Sequence, residues 1–184
     1  MASPGALPDM NADCSRCAGL CCAAFAFEKS DMFAIDKPVD EGCPNLKPDF
    51  SCRIHAERIE LGFKGCTLFD CHGAGQRVTQ DIFGGRTWRD DPAIAAPMFE
   101  LFRKMLKIHD YLRLIIVLEA LPLSKGEASA VAGFRAVLAP DKGWDRHALE
   151  AFEEMRVVTE FERFAANLKA SPAAKALQAR FSAL

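Results

Sequence analysis

The sequence predicts a mainly α-helical protein in which a loop-rich module, containing all the cysteines, packs on a C-terminal helical bundle. All eight cysteines lie between Cys14 and Cys71, in a stretch dense in glycine, proline and other turn-forming residues. The later part of the chain has no cysteine, and its apolar residues recur at steps of three and four, as on one face of a helix. We therefore divide the 184 residues into a flexible tail (1–13), a cysteine-rich module (14–91) and a helical bundle (92–184).

Composition and charge restrict the classes of function. Half of the residues are hydrophobic and 26% are charged, which is typical of globular proteins, and a net charge of −2 without a basic stripe argues against a nucleic-acid partner. The opening MASPGALPDMNADC lacks the basic start and apolar centre of a signal peptide. The longest apolar run, 114–118, is far shorter than the ~20 residues of a membrane span. We therefore expect a cytoplasmic protein without a membrane partner, in which thiols stay reduced and a cysteine cluster indicates metal binding or catalysis rather than disulfides.

The cysteine-rich module contains few predicted regular elements. One helix is expected over residues 54–61 and is closed by Gly62, because glycine readily adopts the backbone conformation that ends a helix. A short strand or hairpin is expected over 83–88, around the Gly84-Gly85 pair. The apolar residues of this module are too few to fold it easily on their own. We therefore expect bound metal to organise it.

Four helices are expected after the module. The first starts at Asp91-Pro92, where an oxygen cap precedes a proline, and ends at Pro122. Its main apolar face contains Met98, Phe102, Met105, Ile108, His109, Leu112, Ile115 and Ile116. The second helix spans roughly 125–138, the third runs from about Asp145 to Leu168, and a short last helix opens at Ser171-Pro172.

The spacing of the first four cysteines is typical of a metal site. Cys14 and Cys17 form a C-x2-C pair, in which one tight turn brings two sulfurs to one ion. Cys21 and Cys22 follow, and adjacent side chains cannot easily point at the same atom from a regular helix or strand. We therefore expect Cys21 and Cys22 to belong to different ligand sets, or one of them to pack in the core.

The remaining four cysteines come from separate turns. Cys43 precedes a proline, as cluster-ligating cysteines often do, while Cys66 and Cys71 flank the apolar pair Leu68-Phe69, which would shield a metal from water. The alternatives are buried apolar thiols and disulfides, the latter mainly in an exported protein. The predicted metal ligands are Cys14, Cys17, Cys21, Cys22, Cys43, Cys52, Cys66 and Cys71.

The cysteines and their flanking residues resemble a known bacterial family. The order CSRCAGLCC, CPNL, DFSCRIH, GFKGC and DC is similar to the zinc- or iron-chelating cysteine-cluster domain (YkgJ-like, CxxCxxCC type). AIDKP, CPNLKPDFSC and GAGQRVTQDIFGGRTW more closely resemble the cysteine-rich leading segment of some bacterial pentapeptide-repeat proteins. The resemblance covers about residues 14–90 and implies metal binding. This chain has one extra residue in the first cysteine group and no pentapeptide repeats, so a repeat-based function does not carry over.

The metal and the function remain open among several hypotheses. Eight thiols fit two zinc ions, a cubane cluster plus zinc, or one [4Fe-4S] cluster with spare thiols, and we favour iron–sulfur slightly over zinc. The main hypothesis is a metal-binding protein with an accessory or redox role. Alternatives are an iron–sulfur enzyme with an open cluster site and a helical interaction module with purely structural zinc. A second apolar face on the first helix (Phe99, Leu106 and Leu114) suggests a protein partner.

Several other residues could bind metal or take part in catalysis, but none of them identifies a catalytic group or a substrate. His55 follows Cys52 by three residues and is either a ligand or a surface residue, while Asp70, Cys71 and His72 are chain neighbours, which rarely form a catalytic trio. The HGAGQRVTQ segment is more typical of a turn than of an anion site. We expect Trp88 to buttress the module.

Overall fold

The computed structural model describes residues 7–168 together with 172 and 175. Residues 1–6 of the predicted tail and the predicted helix at Ser171-Pro172 therefore lie outside the described residues. The predicted mainly helical fold is confirmed, with a C-terminal helical region. The α-helices of the described part are α1 (Leu20–Ala24), α2 (Lys64–Leu68), α3 (Ala74–Arg77), α4 (Ala95–Glu119), α5 (Lys125–Leu138), α6 (Arg146–Glu150) and α7 (Glu154–Leu168).

The chain divides into two compact units. One comprises residues 9–109 and 145–150, and therefore includes every cysteine, α1 to α3, the first part of α4, and α6. The other contains residues 110–144 and the chain from 151 onward, with the last part of α4, α5 and α7. No helix within residues 7–168 is both long enough and apolar enough to cross a bilayer.

The cysteine-containing unit is built mainly from turns. Its described β pairing consists of two isolated antiparallel bridges, Phe27 with Lys37 and Leu46 with Cys52. The predicted helix over 54–61 is wrong, because a single 3-10 turn, His55–Glu57, is followed by non-helical turns up to Gly62. Ile59 and Leu61 are exposed there and have no buried face to dock, so packing does not stabilise a longer helix.

The predicted strand or hairpin over 83–88 is also wrong. Instead, α3 continues into a π-helical turn, Val78–Ile82, and the chain then forms turns. Gly84 and Gly85 have φ of 62° and 82°, and two successive left-handed residues cannot continue a strand.

Helix α4 begins as its sequence predicts. The Asp91 carboxylate accepts a hydrogen bond from the Ala93 N–H, at 3.0 Å, and a 3-10 turn, Pro92–Ile94, leads into the helix. The predicted apolar face is buried, including His109, except that Ile116 is exposed. On the predicted second face Phe99 is buried and Leu114 is exposed, so a protein partner there stays a prediction.

Helix α5 matches its predicted range, and Ser124 and Glu127 form a reciprocal capping box at its start. The predicted third helix is interrupted between Glu150 and Glu154, giving α6 and α7. At the break, Lys104 Nζ donates a hydrogen bond to the Glu150 carbonyl at 2.8 Å, which takes up a helix-terminal acceptor. The chain also passes from one compact unit to the other at this point.

We expect Gly133→Ala to stabilise the protein. Gly133 lies inside α5, is exposed, and a Cβ atom there would meet nothing within 4 Å, so alanine gains helix propensity of about 1 kcal/mol. The matched control is Gly84→Ala, which also adds a Cβ into open space but at a φ of 62°, and is expected to destabilise. Urea unfolding measures both; equal effects of the two substitutions would contradict this account.

Candidate metal centre

All eight cysteines are free thiols. Cys43 is buried, Cys14 is exposed and the other six are partly buried. Within residues 7–168, no three His, Cys, Asp or Glu side chains are placed so that they could hold a metal ion as they stand. The thiols nevertheless fall into two neighbourhoods.

The first neighbourhood begins with the turn that carries Cys14 and Cys17. Cys14–Arg16 is one 3-10 turn, and the Cys17 N–H donates to the Cys14 carbonyl at 3.3 Å. The Asp13 side chain caps this turn by accepting from the Ser15 N–H. The two sulfurs of the C-x2-C pair are therefore presented by one closed turn.

Long-range hydrogen bonds hold this turn beside α3, the helix that follows Cys71. The Asp13 N–H donates to Gln76 Oε1 at 2.8 Å, and Gln76 Nε2 donates to the Asn11 carbonyl at 2.7 Å. Gln80 Nε2 donates to the Arg16 carbonyl at 2.8 Å. The Gln76 side chain is buried, so its two bonds are partly shielded from water, whereas the bond of Gln80 is exposed. Together the three bonds fix the C-x2-C turn against the α3 segment.

Gly75 of α3 is the point at which two sulfurs of this neighbourhood approach. A Cβ atom on Gly75 would lie 2.6 Å from Cys17 Sγ and 3.8 Å from Cys71 Sγ, so the absence of a side chain leaves room for both sulfurs. Burial raises the pKa of the Cys17 thiol to about 11, and Cys71 and Cys14 add to the rise. The pKa of the Cys21 thiol is raised first by its hydrogen bond with Cys22 and by burial, and Cys17 and Cys71 add to the rise.

The second neighbourhood is organised around Cys43. Its N–H donates to the Cys22 carbonyl at 3.0 Å, and Cys22 packs against the apolar cluster formed by Cys43, Phe27 and Leu46. Leu46 pairs with Cys52 in one of the isolated bridges and its N–H donates to the Cys43 carbonyl. Three separate segments therefore bring Cys22, Cys43 and Cys52 together.

Cys66 joins this second neighbourhood from α2. Arg58 donates to the Cys66 carbonyl at 3.1 Å and to the His55 carbonyl at 2.8 Å, which ties α2 to the turn that follows Cys52. Burial raises the pKa of the Cys66 thiol to about 11, and Cys22, Cys43 and Cys52 raise it further.

Cys21 and Cys22 connect the two neighbourhoods. Both lie in α1, with their Sγ atoms 3.9 Å apart. Hydrogen bonding between them raises the pKa of Cys21 and lowers that of Cys22, since one thiol donates while the other accepts. Cys17 and Cys71 add to the rise in the pKa of Cys21, while Cys22 raises the pKa of Cys43 and Cys66 and also that of Cys14. Their ligation of metal stays a prediction.

Lys37, which no sequence pattern indicated, is a buried cation beside the second neighbourhood. Its side chain is 4% exposed, and Nζ donates to the carbonyls of Ala23, Pro38 and Glu41 at 3.1, 2.8 and 2.7 Å. Burial lowers the pKa of Lys37. Cys43 and Cys22 oppose this shift more strongly than the carboxylates of Glu41 and Asp40 do. No local pattern signals this role, because the acceptors are carbonyls placed by the fold.

The histidine candidates have structural partners. The Asp70 carboxylate accepts from the His72 N–H at 2.7 Å and lies 3.3 Å from His72 Nδ1, while His109 Nδ1 donates to the His72 carbonyl. His55 is exposed, and its role as a ligand stays a prediction. Trp88 buttresses the unit as expected, since its Nε1 donates to the Ala18 carbonyl at 2.8 Å.

We expect His109→Gln to remove part of the acid sensitivity of the fold. Burial lowers the pKa of His109 from 6.5 to about 4; the hydrogen bond to the His72 carbonyl opposes this shift, and the charges of Arg77 and His72 add to it. Between these two values the unfolded state binds the extra proton, so stability falls as pH falls through this window, by up to about 3 kcal/mol. Glutamine cannot be protonated there, and its amide retains a donor for the His72 carbonyl.

Urea unfolding at a series of pH values between 6.5 and 4 measures this effect. The comparison is the slope of unfolding free energy against pH in the two proteins, because other acid-sensitive groups are common to both. Identical slopes would contradict a neutral buried His109. A His147→Gln variant, changed at an exposed position, is the control.

The donor set fits a thiophilic metal or cluster. Eight unpaired thiols in two neighbourhoods, the gap at Gly75 and a buried ammonium beside the second group all suit anionic thiolate centres. Zinc needs four such ligands, and a cubane cluster also takes four.

The chain is similar to part of a longer bacterial protein. The chain is 43% identical over 104 residues to a protein of Bacillus subtilis (strain 168) named uncharacterized protein YybG. The aligned part is 56% of this chain and 37% of that protein, so the chain spans little more than a third of its relative's length. No family model and no solved structure matches the chain.

Proposed function

We propose that this chain is a metal-binding protein that uses its clustered cysteines to hold zinc, a [4Fe-4S] cluster or both, in an accessory or redox role. The observation that carries the proposal is the gathering of all eight free thiols in one compact unit, in two neighbourhoods built by long-range contacts. The resemblance to the cysteine-cluster family supports it.

The turn-rich construction of the unit also supports the proposal. Residues between α1 and α3 are mostly turns, with two isolated bridges, so few regular backbone hydrogen bonds hold them. Metal binding to cysteines supplies folding free energy in modules of this kind. Bound metal would therefore add crosslinks between segments that few regular backbone hydrogen bonds connect.

Each part of the proposed centre has a definite task. The eight sulfurs would bind the metal, the Cys14–Arg16 turn and α3 hold the first group in place, and Arg58 positions Cys66. The protons of buried thiols must leave when metal binds, because the thiolate is the ligand. Zinc would supply a fixed tetrahedral crosslink, and a cluster would supply electron storage.

Anaerobic purification followed by metal counting and a visible absorption spectrum tests the proposal. We expect at least one full equivalent of zinc, or iron with matching sulfide, per chain. Broad absorption in the visible region identifies the cluster, and a colourless, zinc-loaded protein identifies the zinc form and ends the iron–sulfur enzyme alternative. Less than half an equivalent of zinc plus iron overturns the proposed function.

A further inference from the structure

We propose that the eight cysteines form two separate four-sulfur sites, each with its own metal ion or cluster. Site 1 consists of Cys14, Cys17, Cys21 and Cys71. Site 2 consists of Cys22, Cys43, Cys52 and Cys66. This division rests on the proposed metal-binding function and adds to it the assignment of every thiol to one site.

Site 1 is defined by the packing of one turn on one helix. Three side-chain hydrogen bonds from Gln76 and Gln80 of the α3 segment hold the Cys14–Arg16 turn in place. The gap at Gly75 receives the sulfurs of Cys17 and Cys71, which come from opposite ends of the cysteine-rich sequence.

Site 2 is defined by a different set of contacts. The Cys43 N–H bonds to the Cys22 carbonyl, the bridge between Leu46 and Cys52 adds a third segment, and Arg58 fixes Cys66 beside it. The four thiols of site 1 therefore come from three chain segments, and those of site 2 come from four.

The adjacent pair in α1 separates the two sites. Successive residues of a helix point about 100° apart, and Cys22 packs against the cluster that contains Cys43. Cys21 is therefore assigned to site 1, and because the two sulfurs are 3.9 Å apart, the two sites are close neighbours. One helical turn thus contributes one ligand to each site.

The two sites also differ in charge environment. The Lys37 ammonium is buried next to Cys22 and Cys43, and a four-thiolate centre with a divalent ion carries two negative charges. A buried positive charge beside that centre offsets part of its charge. Site 1 contains the exposed Cys14. We therefore expect site 2 to retain metal longer than site 1 when a chelator is added.

Zinc protection of thiols from alkylation tests the division in the full chain. The reduced, metal-free protein is titrated with Zn²⁺ alone, treated with iodoacetamide and analysed by intact-mass and fragment mass spectrometry. At partial loading we expect molecules with eight, four or no labels. In the four-label molecules, the unlabelled cysteines should all belong to one site.

Two results would overturn the division. Molecules with eight or no labels and none with four would indicate a single centre, and four-label molecules that mix the two sets would show a wrong assignment. Labelling of all eight cysteines at every zinc concentration, with less than half an equivalent bound, would instead be the failure of the proposed function. The metal-free chain, labelled at all eight positions, is the control for reagent access.

Gly75→Ala provides a variant test that leaves every sulfur in place. The added Cβ would lie 2.6 Å from Cys17 Sγ, so we expect this variant to lose the metal of site 1 and keep that of site 2. Gly133→Ala is the matched control and should keep both. Loss of both metals or of neither in the folded variant contradicts the division, and the wild-type labelling pattern decides the matter where Gly75→Ala does not fold.

Discussion

Cys66→Ser and Cys17→Ser are each expected to lower metal content and to destabilise the cysteine-containing unit strongly. Serine is a poor ligand for these metals, so each substitution leaves a coordination position open. A structural zinc site contributes ~10 kcal/mol or more to folding, while the total stability of a domain is roughly 5–15 kcal/mol. We therefore expect the unit that contains residues 9–109 to melt at a much lower temperature, while α5 and α7 in the other unit remain partly formed.

Calorimetry combined with metal analysis measures both parts of this prediction. The control is the same comparison in the presence of a chelator, in which wild type and variants should melt alike, because the stabilisation comes from the metal. Variants that keep full metal occupancy and an unchanged melting temperature would contradict the role of these cysteines. Cys21→Ala and Cys22→Ala should each lose metal. Under the two-site proposal, Cys21→Ala loses the metal of site 1 and Cys22→Ala loses that of site 2.

The long helices could be predicted because the information that specifies them is local. The apolar repeat from Met98 to Ile115 marks the buried face of α4, and Asp91-Pro92 marks its start. The end of α6 could not be predicted in the same way. It coincides with a hydrogen bond from Lys104, which lies 46 positions earlier in the chain, and with a crossing between compact units.

The cysteine-rich segment shows the same division between local and long-range information. That Cys21 and Cys22 face different ways follows from adjacency alone, whereas the partners of each follow from contacts such as Asp13 with Gln76, 63 positions apart. The predicted helix over 54–61 does not form. The Arg58 side chain donates hydrogen bonds to the carbonyls of His55 and Cys66, and the apolar residues that follow, Ile59 and Leu61, stay exposed. The sequence pattern of that segment contains no sign of these partners.

Lys37→Met is expected to destabilise the cysteine-containing unit by at least about 3 kcal/mol, because it removes three charge-assisted hydrogen bonds and each bond to a charged group contributes about 1.5–3 kcal/mol. The carbonyls of Ala23, Pro38 and Glu41 would lose their donor, and methionine fills a similar volume without replacing it. The matched control is Lys29→Met, at an exposed position eight residues earlier, where we expect a change within about 0.5 kcal/mol.

A second comparison separates the two tasks of this ammonium. If Lys37 only satisfies carbonyls, the substitution destabilises metal-free and metal-loaded protein equally. If it also offsets the charge of a thiolate centre that includes Cys22 and Cys43, the loss is larger with metal bound, since the centre then carries its negative charge permanently. Urea unfolding with zinc and with chelator measures the difference. Equal losses in the two conditions would leave Lys37 with a purely structural role and remove the charge asymmetry proposed between the two sites.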